Sequence, residues 1–144
     1  MKKYLSLIVL FGLICFLLVG CEGNKNNGAG PEGTLAEKAL SELETKDIKS
    51  FKVTIYPPDK EKTIKNSKDI SKLITILNKV VAYEQDDSHV EYGGQWVEFE
   101  LKMMDGSLKT VAAYNPFIVI DGVGYRTEYG PCEELNAFGN SFFK

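Results

Sequence analysis

The chain reads as an α+β domain, an antiparallel sheet built from hairpins with helices packed on one face. Three observations carry that expectation. Val97, Phe99, Leu101 and Met103 alternate with Glu98, Glu100 and Lys102, the period of two that marks a half-buried strand. Asp105-Gly106 and Asp121-Gly122 each stand between apolar runs and suit two-residue type I′ turns. Ile70, Leu73, Ile74, Leu77, Val80 and Val81 fall at i, i+3, i+4, i+7, i+10 and i+11, one apolar stripe on an α-helix.

The elements follow in order. Thr34 with Glu37 resembles a capping box, and Leu35, Ala39, Leu40 and Leu43 line one face of the helix it would open. Phe51, Val53 and Ile55 alternate with Lys52, Thr54 and Tyr56 in a first strand. Pro57-Pro58-Asp59-Lys60 turns the chain, and Lys62 to Lys65 returns as a short second strand. Asn66 or Ser67 caps the next helix, with Asp69 in its first turn, and its stripe is expected to pack on the sheet. Glu84 to Gly94 reads as a polar loop. A two-residue turn at Asp105-Gly106 pairs Met103 with Leu108, Leu101 with Thr110, Phe99 with Ala112 and Val97 with Tyr114, all on one inner face. Phe117 to Ile120 and Val123 to Thr127 make the second hairpin. Gly130-Pro131 opens a last helix that faces inward through Leu135, Phe138 and Phe142. The expected order is helix, two strands, helix, four strands, helix. Neither a nucleotide-binding βαβ unit nor an internal repeat is present in the sequence.

The N-terminal residues have a different character. Lys2 and Lys3 form a charged start, Leu5 to Leu17 an apolar centre, and Gly20 a small residue before cleavage, the three parts of an export signal. Leu18-Val19-Gly20-Cys21 resembles the lipobox of bacterial lipoproteins of the Gram-positive type. The resemblance implies cleavage before Cys21, diacylglycerol on its thiol, and attachment to the extracytoplasmic face of the cell membrane. Two acyl chains at ~0.8 kcal/mol per buried CH2 hold stably where one holds only marginally. Residues 1–20 are thus expected to be a lipoprotein signal peptide and residues 21–33 the lipidated cysteine with a flexible tether. The tether, Glu-Gly-Asn-Lys-Asn-Asn-Gly-Ala-Gly-Pro-Glu-Gly, has almost no apolar content and a typical coil reach of roughly 20 Å. Residues 34–144 remain as a single small domain, long enough for one core. Within it Val53-Thr54-Ile55, Thr63-Ile64-Lys65-Asn66, Ile70 and Leu73 resemble the start of small lipoprotein domains of the YhfM-like kind, a resemblance that implies no activity.

Charge and cysteine usage exclude several classes. Without Lys2 and Lys3 the 17 Lys+Arg become 15 against 20 Asp+Glu, a net charge of −5. No basic stretch is left to attract phosphate backbones, so nucleic acid is not an expected partner. Cys15 leaves with the signal and Cys21 carries the lipid, so Cys132 is the single thiol of the domain. Internal disulfides and cysteine-based zinc sites are thereby excluded.

Three groups carry candidate chemistry. Cys132, near the start of the last helix, and His89, the single histidine, are the residue types of a nucleophile–base dyad. His89 lies in the polar loop with nothing in sequence to orient it, so Cys132 is expected to be a small buried thiol. Asp86, Asp87 and Glu91, with Glu84 close by, lack the Asp-x-Asp-x-Asp-Gly order of a calcium loop and read as a solvated acidic loop. No metal, cofactor or enzymatic activity is expected. Trp96 falls on the polar parity of its strand, and Tyr83 and Tyr92 flank the acidic loop, a composition typical of binding hot spots. The competing reading has Trp96 covering the sheet's edge or lying under the first helix. The expectation is therefore a membrane-anchored, non-enzymatic binding domain with a protein or peptide partner at the cell surface. An accessory solute-binding or sensory lipoprotein is the alternative, and a Cys132-dependent enzyme ranks behind both.

Overall fold

The structure, a computed structural model, describes residues 35–144. The signal, the lipobox with Cys21, the tether and Thr34 lie outside the described residues, among which no helix is long and apolar enough to cross a membrane. The order is α1 (Leu35–Ser41), β1 (Ile48–Tyr56), β2 (Lys60–Ile64), α2 (Ser67–Leu77), β3 (Ala82–Gln85), β4 (Trp96–Met103), β5 (Leu108–Tyr114), β6 (Phe117–Ile120), β7 (Val123–Thr127) and α3 (Tyr129–Asn140). The strands form one sheet in the order β2-β1-β4-β5-β6-β7-β3, every neighbouring pair antiparallel. This is the α+β architecture read from the sequence.

Alternation decides which face the helices cover. Phe51 and Val53 of β1, Phe99 and Leu101 of β4, Val111 and Ala113 of β5, and Ile118 of β6 are each fully buried in one core. Leu73 and Leu77 of α2 and Leu135 of α3 meet them there, also without exposure. The Phe138 ring stacks on Phe99 at 6.2 Å and 10° and lies 6.3 Å from Phe51. Leu40 of α1 is likewise fully buried, so the first helix is docked on the core.

Three elements differ from the sequence reading. The α2 stripe stops at Leu77, capped by Asn78, whose N–H donates to the Ile74 and Ile76 carbonyls; Val80 is buried from the turn that follows. At its start the Asn66 side chain accepts from the Asp69 N–H at 2.9 Å, the expected N-cap. β3 is a fifth strand in the C-terminal run where a loop was expected. Ala82 is its one buried residue, so no alternation marks it, and pairing with β7 alone makes it a strand. In α3, Pro131 stands two residues inside the helix but still in the first turn, where N–H groups have no helical acceptor. Phe142 lies past the helix end and packs on Phe138 at 5.0 Å.

A fourth difference is a matter of register. The β4–β5 loop has three residues, Met104, Asp105 and Gly106, rather than two: the Met103 N–H donates to the Ser107 carbonyl and the Gly106 N–H to the Met103 carbonyl. The Asp105 carboxylate accepts from the Ser107 N–H at 2.8 Å and its hydroxyl at 2.6 Å, which holds Asp105 in an ordinary turn conformation. Only Gly106 takes positive φ, +90°, the pattern of a type I turn closed by a glycine bulge. Phe99 therefore faces Val111 and Val97 faces Ala113. A slip of one residue moves alternate side chains to the other face, so Ala112 and Tyr114 leave the helix-covered side. Asp121-Gly122 does make the expected two-residue turn, with φ of 50° and 84° and Ile120 facing Val123.

Candidate functional site

The face of the sheet opposite the helices carries a row of aromatics at one end. Tyr56 pairs with Trp96 across β1 and β4, and Tyr114 pairs with Phe117 across β5 and β6. The Trp96 ring lies 6.2 Å from Tyr56 at 70° and 6.4 Å from Tyr114 at 75°, both edge-to-face. Trp96 is half-buried and stands within this row, neither at the sheet's edge nor under α1.

The segment between β3 and β4 folds back over that face as a 3-10 turn, Asp87–Glu91, and closes one side of the row. Its attachment is polar and dense. The Asp86 N–H donates to the Gly124 carbonyl at 2.9 Å, and the Gly124 N–H donates to the Asp87 carboxylate at 2.7 Å. The Asp86 carboxylate accepts from the Ser88 N–H at 2.9 Å and from Arg126 Nε at 2.6 Å. Hydrogen bonds from Ser88, and then from Arg126, hold the Asp86 carboxyl down at about 2. The Asp87 carboxyl is also lowered, chiefly by the Gly124 N–H. Arg126 lies 4.3 Å over the Phe117 ring, a cation on the face of an aromatic.

The clamp delivers His89. Its imidazole lies near-parallel to Trp96, 21° apart at 6.5 Å, and 6.0 Å from Phe117, with 8% of the residue exposed. Gly124 makes the room: a Cβ there would stand 2.5 Å from His89 Nδ1 and 2.6 Å from the Asp86 carbonyl. His89 Nδ1 is enclosed without a hydrogen-bond partner among the described residues. Tyr92, just past the turn, sets its ring 5.4 Å from Phe117 and is 54% exposed. Between the row and the turn lies a groove of about 420 Å³, walled by Tyr56, Trp96, Tyr114, His89, Tyr92 and Val90.

The structure thus brings Trp96 and Tyr92 together and leaves Tyr83 apart. Tyr83 belongs to the edge strand β3, where its hydroxyl donates to the Glu128 carboxylate, and it does not line the groove. Tyr56, Tyr114, His89 and Val90 are groove residues that the sequence reading missed. Tyr56 had a signal, since it ends the polar parity of β1. Tyr114 was placed on the wrong face by the assumed turn, and His89 was read as an exposed loop residue.

The other two candidate groups resolve differently. Cys132 is fully buried on the helix side, its thiol donating to the Phe117 carbonyl at 3.2 Å, and burial pushes that thiol up to about 12. His89 lies on the opposite face of the sheet, so the two do not form a dyad. The acidic segment is not simply solvated, because Asp86 and Asp87 commit their carboxylates to the clamp. Glu84 and Glu91 are exposed, and no three His, Cys, Asp or Glu side chains among the described residues converge on a metal position. Compared with known protein families, curated proteins and solved structures, the chain matches none.

Proposed function

We propose that this chain is a surface lipoprotein, held at the outer face of a cell membrane by lipid on Cys21, whose domain binds a protein or peptide partner without catalysis. The observation that supports the binding reading is the groove itself. Four aromatic side chains, Trp96, Tyr56, Tyr92 and Tyr114, surround one concavity, and its outer wall is fastened to the sheet by the Asp86–Arg126 and Asp87–Gly124 bonds. Large rigid side chains already in place lose little entropy on contact, which is why such residues dominate binding energies. Cys132 is buried on the far side of the sheet from His89, so these two side chains do not meet as a nucleophile and a base.

Quantitative recovery of surface proteins on the immobilised full chain tests this reading. Trp96→Ala with Tyr92→Ala is expected to lower recovery of a specific partner at least about thirtyfold, a hot-spot loss of ~2 kcal/mol. Undiminished recovery by a folded double variant would sink it. The groove's volume favours one second reading, an accessory solute-binding role, since small-ligand sites span roughly 300–1,000 Å³. A concentration-dependent rise in melting temperature with one class of cell-wall fragment is the signature of that role.

A further inference from the structure

We infer that the groove receives an arginine side chain of its peptide partner, an inference that rests on the groove being the binding site. The guanidinium lies against the Trp96 and Tyr56 rings and turns its N–H groups to the Glu98 carboxylate. Strand alternation sorts the charges that make this possible. The row of the sheet next to the aromatic one runs through Glu61, Thr54, Glu98 and Ala112, cross-strand partners on β2, β1, β4 and β5. Glu98 shares its face with Trp96, about 6.6 Å further along β4. Lys60 and Lys62 flank Glu61 in the chain but pair with Ile55 and Val53 of the buried face. On that side Lys62 Nζ donates to the Phe142 carbonyl at 3.5 Å. β2 thus sends its lysines to the helix side of the sheet and its glutamate to the groove side.

The nearest cations on the groove side are already engaged. Arg126, at the other end of the aromatic row, donates to Asp86 at 2.6 Å, and Lys52 lies 3.6 Å from Glu100. Glu61 and Glu98 make no ion pair or side-chain hydrogen bond among the described residues. Half-buried Glu98 is therefore an uncompensated anion beside a groove that no cationic side chain lines. A partner seated on Trp96 and Tyr56 also covers Glu98, and a carboxylate buried without a cation is costly. An acidic segment is repelled, and an apolar one leaves that charge unanswered. A quaternary ammonium suits the rings but has no N–H for the carboxylate. A lysine ammonium can donate, yet it is strongly hydrated and has no plane to stack. Arginine meets both demands, because its flat, weakly hydrated guanidinium stacks on ring faces while its fork fits a carboxylate. The chain already contains that constellation: Arg126 lies 4.3 Å over the Phe117 ring while it bonds Asp86.

The chain has a single tryptophan, Trp96, so its emission reports the groove directly. The full chain in detergent is titrated with an acetylated Gly-Gly-Arg-Gly-Gly amide, and with the same peptide carrying citrulline, lysine or glutamate instead of arginine. Citrulline keeps the shape of arginine and removes its charge. The arginine peptide is expected to shift the emission saturably and the lysine peptide to bind more weakly; the other two leave the emission unchanged. Glu98→Gln keeps the volume and removes only the charge, and it should weaken the arginine peptide at least about tenfold. Tyr56→Ala should also weaken it, while Glu42→Gln, outside the groove, leaves the affinity unchanged; circular dichroism checks each variant. A flat arginine titration, an equal response to any of the other three peptides, or undiminished affinity in Glu98→Gln overturns the inference. If the arginine peptide fails while the Trp96→Ala, Tyr92→Ala variant still loses its partner, the binding reading stands and only the occupant is wrong. Undiminished partner recovery removes both.

Discussion

Gly124 shows how one residue holds the site together. It has no side chain because His89 Nδ1 and the Asp86 carbonyl occupy the space where a Cβ would stand. Backbone on one side leaves little room for relief. Gly124→Ala is expected to cost about 1–3 kcal/mol, the usual range for an overpacked site, and to loosen the His89 turn. Urea denaturation gives the first quantity and Trp96 emission the second; a variant with unaltered midpoint and emission would refute the account. Cys132 makes a separate prediction at this scale. With its thiol raised to about 12 by burial, it should resist iodoacetamide at pH 8 in the folded protein and react once urea unfolds the chain. Rapid labelling of the native state would contradict the burial. Of these residues, only Cys132 was legible in advance, because a small apolar residue at the start of an amphipathic helix is expected to be buried. Gly124 carries no local signal, since the group that needs its space lies 35 residues earlier in the chain.

At the scale of elements, local chemistry was decisive where the element was local. Asn66 caps α2 as the sequence suggests, and Asn66→Ala should lower stability by about 1 kcal/mol in chemical denaturation. The clamped turn is the opposite case. Glu84 to Gly94 has the composition of a solvated loop, and only Arg126 and Gly124, on a distant strand, make it a wall of the groove. Its stability should depend on acid. The Asp86 carboxyl sits near 2 in the folded chain, below the ~3.9 of an unfolded aspartate, so its contribution is complete above about pH 4. It declines as pH falls from there toward 2. Trp96 emission, which senses the stacked His89, should follow that decline, and Asp86→Asn should flatten it. A wild-type profile already flat from pH 5 to 2 would count against the clamp. The first hairpin teaches a related lesson. Asp-Gly is a good type I′ pair, yet Ser107 offered Asp105 a better local partner, and the turn became one residue longer.

For the whole molecule, the sheet order is what assembles the groove. Tyr56 ends β1 and Trp96 begins β4, 40 residues later, yet they are paired because the chain runs through β2 and α2 to the far edge before β4 returns to the centre. The proposed anchor belongs to this scale as well. Cys21→Ser should abolish incorporation of labelled fatty acid and shift the protein from the membrane to the soluble fraction. Retention of both would refute lipidation at Cys21.

The sequence by itself determined the α+β class, most of the strands and helices, the buried stripes and the placement of Trp96 on the polar side of its strand, because periodicity is written in neighbouring residues. It also carried the lipobox pattern that motivates the proposed anchor. Only the tertiary structure decided the β4–β5 register, the fifth C-terminal strand, the clamp on Asp86 and Asp87, and the gathering of Tyr56, Tyr92, Trp96, Tyr114 and His89 into one groove. These depend on contacts between residues far apart in the chain, and a one-residue change in a turn is enough to move Tyr114 from one face of the sheet to the other.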